Sequence, residues 1–320
     1  MKITKAQIIR ICEKIKKDFI DYSFLARGAH NESFIIETKQ NKLVLRIENN
    51  TQVKNLKKEY NFLKKTNGKF GPKVFLFDAS KLIISKDYFI EEFLVGEHPE
   101  KITNDFIISS AGLLKQLHKI QTKIIPKFAE INNHYSISKS SHFQGLDLYQ
   151  KYREILPENL QKQLDLIYNN AGLLVNDNER IFAKRKLFSL NHGDLYRENI
   201  FYIKGKVKLI DWEFVKYDLL EWDLVSFIYF SNLGKKQGGL FLDSYGYGKK
   251  SIDQKKINLI LLLHVLWMIS WWVQRLSLAQ SKKIDKKMHL SGEKDLFNEI
   301  NKDLQRAGCL IKNLNKLNFY

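Results

Sequence analysis

The chain has 320 residues, 44% of them hydrophobic, which is enough for two ordinary cores and excludes a disordered or fibrous protein. Two cysteines, Cys12 and Cys309, exclude a disulfide framework, and Met1–Phe19 alternates lysines with isoleucines rather than forming a signal peptide, so a cytoplasmic setting is expected. The formal charge of +18 is dispersed through a Lys/Ile/Asn-rich chain without a nucleic-acid motif, so it supports nonspecific attraction and no nucleic-acid partner.

Ile8, Ile11, Cys12, Ile15 and Phe19 recur at i, i+3, i+4, i+7 spacing and predict an opening amphipathic helix. Ser23–Ala26 and Ser33–Glu37 read as strands around Arg27-Gly28-Ala29-His30-Asn31. A Gly at such a bend either brings backbone N–H groups close to phosphate or simply closes a hairpin. Leu43–Ile47 is the third strand, with Val44 and Arg46 on one face and Leu43, Leu45 and Ile47 on the other. A helix over Val53–Lys65 buries Leu56, Tyr60 and Leu63. Short strands follow at Val74–Phe77, Leu82–Ser85 and Tyr88–Phe93, and the linker Gly96–Pro99 marks a boundary between residues 1–96 and 97–320.

Beyond it, Asp105–Ile120 has Phe106, Ala111, Leu113, Leu114 and Leu117 at helical spacing and ends in His118, read as a packed or capping histidine. Gln121–Ser189 is polar, with helical segments around Leu146–Leu156 and Leu160–Ala171 and no motif. Ile257–Gln274 is apolar enough to raise a membrane span, but Asn258, His264, Ser270 and Gln274 argue for a core helix and against membrane insertion. On it His264, Trp267, Trp271, Gln274 and Arg275 share a face. Paired aromatics there either pack a core or hold a quaternary ammonium, at about 0.5–2 kcal/mol per ring.

The most informative stretch is His192-Gly193-Asp194-Leu195-Tyr196-Arg197-Glu198-Asn199, followed by Asp211-Trp212-Glu213. Phosphoryl transfer from ATP needs an Asp to orient and deprotonate the attacking hydroxyl, and an Asn and a second Asp to hold Mg²⁺. Strands Asn199–Ile203 and Lys206–Ile210, joined at Lys204-Gly205, bring Asp211 back to the loop. Alternation along that strand puts Asp211 and Glu213 on one side. A helix over Asp218–Phe230 follows, with Leu220, Leu224, Phe227 and Ile228 inward. No Ala-Pro-Glu segment is present and no room remains for an activation loop, so a protein substrate is not expected.

The His-Gly-Asp-Leu octet and Ile-Asp-Trp-Glu resemble the aminoglycoside phosphotransferase and choline/ethanolamine kinase superfamily, a small-molecule branch of the protein kinase fold. The resemblance implies Asp194 as catalytic base and Asn199 and Asp211 as Mg²⁺ ligands. It gives Gly28 and Asn31 to the phosphate loop, where Arg27 replaces the first of the paired glycines. It makes Arg46 the phosphate-steadying cation with Glu59 as its helix partner, and puts adenine on the backbone near Glu92 and Leu94. Asp223 takes a structural place, and Glu213 serves either metal or acceptor. Trp267 matches a tryptophan of the choline-kinase cation cage; the second cage position is Ser270, with Trp271 beside it.

The expectation is therefore an α+β, bilobal protein kinase-like fold, with an antiparallel-sheet lobe over 1–96 and a helical lobe over 97–320. It would carry out ATP- and Mg-dependent phosphorylation of a small-molecule hydroxyl, first of an amino alcohol such as choline or ethanolamine. An aminoglycoside or other amino sugar is the alternative, needing carboxylates such as Asp243, Glu213 and Glu221, and an inactive pseudokinase is the reading from another class. No obligate protein partner is expected.

Overall fold

The computed structural model describes residues 3–28, 31–49, 55–123, 133–183, 187–248, 250–281 and 293–315. Thr4 starts the first helix, α1 (Lys5–Lys14), through a reciprocal capping box with Gln7. Lys16, at φ +55°, ends it, so the helical spacing read out to Phe19 overshoots, and Phe19 instead opens a strand. Strands β1 (Phe19–Arg27), β2 (Asn31–Thr38) and β3 (Lys42–Glu48) follow, then α2 (Leu56–Thr66), β4 (Val74–Asp78) and β5 (Tyr88–Glu92). The start of the predicted helix at Val53 lies outside the described residues.

These strands make an antiparallel sheet in the order β1-β2-β3-β5-β4. Alternation divides β3 as expected. Leu43, Leu45 and Ile47 join Phe34, Ile36, Tyr88 and Ile90 in a core closed by Ile8, Ile11 and Cys12 of α1. The other face carries Val44 and Arg46, with Glu91 paired across from Val44 and Phe89 across from Arg46. Tyr60 of α2 lies over it, its ring 5.3 Å from that of Phe77 and 6.1 Å from that of Phe89.

The strand expected over Leu82–Ser85 is not formed. Asp78 accepts from the Ser80 N–H at 2.7 Å, Lys81 takes φ +63° and pairs with Asp87, and Ile83 and Ile84 are both buried. These local turn contacts hold the segment out of the sheet.

Contacts gather the chain into two units: Met1–Leu113 with His192–Lys216, and Leu114–Asn191 with Tyr217–Tyr320. This division differs from a boundary at Gly96, because the later segment is hydrogen-bonded into the first unit. Tyr202 N–H donates to the Glu97 carbonyl at 2.9 Å, and Leu209 N–H donates to the Phe70 carbonyl at 2.9 Å.

After α3 (Asn104–Leu117), the second unit holds β6 (Gln121–Thr122), α4 (His134–Tyr152), α5 (Glu158–Asp177), α6 (Glu179–Ala183) and β7 (Phe188–Asn191). The hairpin β8 (Ile200–Ile203) and β9 (Lys206–Leu209) belongs to the first unit. Then come β10 (Lys216–Asp218), α7 (Leu220–Phe230), α8 (Lys235–Tyr245), α9 (Ser251–Gln280) and α10 (Glu293–Asn315). The fold is α+β, as expected, with a sheet-based and a largely helical unit.

α9 is the axis of the second unit and packs against α10, α4 and α7. It is long and apolar enough to cross a membrane, yet 83% of its apolar window is buried. Ser270 is fully buried, donating to the Gly145 carbonyl at 2.7 Å and lying 2.5 Å from the Tyr168 hydroxyl. Where α9 begins, the Lys256 ammonium is buried 2.8 Å from Glu221 and 2.9 Å from His134 Nδ1.

Candidate active site

His192 is fully buried and clips the octet to the end of β9. Its Nε2 donates to the Ile210 carbonyl at 3.0 Å, which fixes the tautomer, so Nδ1 accepts the Asp194 N–H at 3.3 Å. Its ring stands edge-on to Trp212 at 4.4 Å. Gly193 takes φ +87°, and a Cβ there would meet the Phe214 carbonyl oxygen at 2.8 Å. Both conformation and space therefore demand glycine between the His and the Asp. We expect Gly193→Ala to cost about 1–3 kcal/mol in urea unfolding, by forcing the loop off this geometry.

Asn199 donates its amide to the Asp194 carboxylate at 2.9 Å and to the Asp194 backbone carbonyl at 3.1 Å. Its own carbonyl accepts the Ile210 N–H at 2.9 Å, so the residue after Ile210 starts beside it. The hairpin that achieves this turns at Lys204 (φ +48°) and Gly205 (φ +80°), the left-handed pair of a type I′ turn. β8 starts one residue later and β9 ends one residue earlier than the sequence suggested.

Asp211 sits in the left-handed region at φ 64°, ψ 62°, uncommon for a non-glycine residue and concentrated at functional sites. That turn corrects the strand-alternation argument for Glu213: Trp212–Phe214 is a 3₁₀ turn, and Glu213 is buried within it. Trp212 is fully buried against Phe62 at 4.3 Å, and its indole N–H donates to the Leu209 carbonyl at 2.9 Å.

Arg46 joins the two halves of this site. Its guanidinium lies 2.5 Å from Glu59 and 2.7 Å from Asp211, and Glu59 also accepts the Trp212 N–H at 2.9 Å. Asp194, Asn199, Asp211, Arg46 and Glu59 thus form one connected set. Burial opposes charge on Arg46, but the carboxylates of Glu59, Asp211 and Glu91 hold it protonated more firmly than usual. Burial pushes the carboxyls of Glu59 and Glu91 up, against the pull of Arg46. Asp211 is the more open member, its side chain 31% exposed. One carboxylate and an amide oxygen are a donor set that Mg²⁺ accepts when phosphates and waters complete its shell, and Asn199 spends its N–H groups on Asp194, leaving oxygen for a metal.

The remaining expected residues lie as follows. Gly28 donates its N–H to the Asn31 carbonyl at 2.9 Å; it is neither left-handed nor crowded, while Ala29 and His30 lie outside the described residues. Asn31 is buried at the start of β2. Glu92 ends β5, its N–H on the Lys73 carbonyl at 2.8 Å, and Leu94 follows it, half-buried. In the second unit Trp267 is 38% exposed. Trp271 lies one turn on, but its ring carries the Arg275 guanidinium at 4.7 Å and the Trp272 ring at 4.7 Å. His118, expected to be packed, lies 3.2 Å from the buried Asp223 and 2.9 Å from the Tyr245 hydroxyl. Sequence reasoning missed the anchoring role of His192 and the buried acid Glu91; the first was signalled by the octet, the second by nothing local.

A family model described as the phosphotransferase enzyme family, APH, matches residues 21–254. The chain belongs to that family. A LicA homologue of Metamycoplasma hominis is 35% identical over 98 residues, 28% of this chain, and the match spans 39% of that relative's length. The choline kinase LicA of Streptococcus pneumoniae has the same fold at 17% identity and a TM-score of 0.61, covering 97% of this chain and 100% of the other. Spectinomycin phosphotransferase APH(9)-Ia, in complex with ADP and spectinomycin, superposes with a TM-score of 0.65 at 12% identity, covering 97% and 99%.

Proposed function

We propose that the protein transfers the γ-phosphoryl group of ATP to the hydroxyl of a small amino alcohol of the choline or ethanolamine kind. The observation that carries the donor half is the connected set Asp194–Asn199–Asp211–Arg46–Glu59. Asp194 orients the acceptor hydroxyl and takes its proton as the oxygen attacks phosphorus. Asn199 holds the Asp194 carboxylate in place and, with Asp211, binds Mg²⁺, which neutralises charge on the phosphates when bound. Arg46 offers a planar guanidinium to phosphate oxygens while Glu59 fixes its position. Gly28 and Asn31 close the phosphate loop, and the backbone at Glu92 and Leu94 receives the base.

For the acceptor, an ammonium is supported by Trp267, whose ring is open enough to meet a ligand. Trp271 is the weaker wall, because Arg275 already occupies its face. Glu213, buried in the turn after Asp211, is assigned in this reading to either the metal or the acceptor. The amino-sugar alternative loses a carboxylate: Glu221 is fully buried, bound to Lys256 and, at 2.8 Å, by the Tyr247 hydroxyl.

A panel of choline, ethanolamine and kanamycin-type amines, read by coupled ADP release, tests this reading. Choline turnover is expected, with KM raised about tenfold in Trp267→Ala, the loss of roughly one cation–π contact. Kanamycin turnover with choline and ethanolamine silent would sink the amino-alcohol assignment.

A further inference from the structure

The face of the sheet that bears Arg46 carries a second ionisable side chain without an assigned task. Glu91 of β5 is 5% exposed, and among the described residues its Oε2 receives no hydrogen bond. Buried carboxylate oxygens are rarely left so, and each case calls for a partner. The registers place it. Phe89 is opposite Arg46 and Glu91 is opposite Val44, so Glu91 stands two residues, about 7 Å, along β5 from the arginine. It lies on the same face and next to Glu92, where the strand ends.

We infer that Glu91 reads the purine base of the donor nucleotide, accepting a hydrogen bond from a 6-amino group and rejecting a 6-oxo group. The inference rests on the kinase reading above. A nucleotide with its phosphates on Arg46 and its base near Glu92 and Leu94 runs along the lane between them, over Val44 and past Glu91. An exocyclic amine there supplies the missing donor. A carbonyl oxygen there either faces a second acceptor or obliges Glu91 to take up a proton, and either weakens binding relative to an amine. Arg46 attracts Glu91 through its charge, while its terminal nitrogens bond Glu59 and Asp211.

The test compares ATP and GTP, with Mg²⁺, on wild type, Glu91→Gln and Glu91→Met, by calorimetry and by ADP or GDP release. Wild type is expected to prefer ATP by about 100-fold or more. Glu91→Gln, which keeps the shape, can turn its amide to accept or to donate, so the preference should shrink below about tenfold through a gain in GTP use. Glu91→Met should lose about tenfold in ATP affinity while GTP binding is unchanged or improved. Equal use of ATP and GTP by wild type, or an unchanged ratio in both variants, overturns the inference while leaving the kinase reading intact. Failure of wild type to bind either nucleotide overturns the kinase reading and this inference with it.

Discussion

Asp194→Asn is expected to lower kcat by about three orders of magnitude or more, with the protein still folded and still binding Mg·ATP. The substitution keeps the size of the side chain and its contact with Asn199, since an amide oxygen can still accept the 2.9 Å bond now made to the carboxylate. The Asp194 N–H bond to His192 is a backbone matter and survives. What is lost is the one group that can take the proton of the attacking hydroxyl. Nucleotide affinity from calorimetry should stay within a few-fold, because Arg46, Glu59 and Asp211 are untouched. Turnover near the wild-type rate would show that the catalytic base lies elsewhere.

The candidate site was legible where its information is local. Asp194 and Asn199 share one loop, and a two-residue turn at Lys204-Gly205 is enough to bring Asp211 beside them, so spacing and turn chemistry encode the geometry. The face of the strand that carries Arg46 was legible from alternation, whereas its task and its pairing with Glu59 were implied by the family resemblance and not by local pattern. Three features were hidden. The left-handed backbone at Asp211 turns Glu213 out of strand alternation, and Asp carries no signal for that conformation comparable to glycine. Glu91 beside Glu92 reads as a solvated strand end, and only the pairing with β3 shows that one of the two is buried. The start of α9 was read at Ile257, because lysines and an aspartate before it break the apolar run; the helix begins at Ser251. A lysine reads as surface until its partners are known, and His134 is 122 residues away.

Those partners make Lys256 the position where a single change should do most damage to stability. Lys256 is 1% exposed and Glu221 fully buried. His134 Nε2 donates to the Leu187 carbonyl at 2.7 Å, so its Nδ1 can only accept, and the ammonium supplies that proton as well. Lys256→Met leaves a buried carboxylate without its cation and should cost about 3–5 kcal/mol in urea unfolding. Pairing it with Glu221→Gln should recover most of that, since the uncompensated charge is the main penalty. The dependence on pH gives a sharper check. In the wild type burial pushes the Glu221 carboxyl up, and Lys256 more than offsets it, holding it at about 2. A folded value below the unfolded one means that this contribution is present above the unfolded carboxylate range near pH 4.3 and is lost as pH falls toward about 2. In Lys256→Met the Tyr247 hydrogen bond still favours the charged carboxylate, but burial, the largest influence, is no longer offset by the ammonium. The folded value should therefore rise above the unfolded one, and the sign reverses. The variant's deficit against wild type should then shrink on acidification from pH 7 to pH 5, where protonation relieves the buried charge. A deficit that is constant over that interval would mean that Lys256 stabilises the fold by packing its stem rather than by its charge.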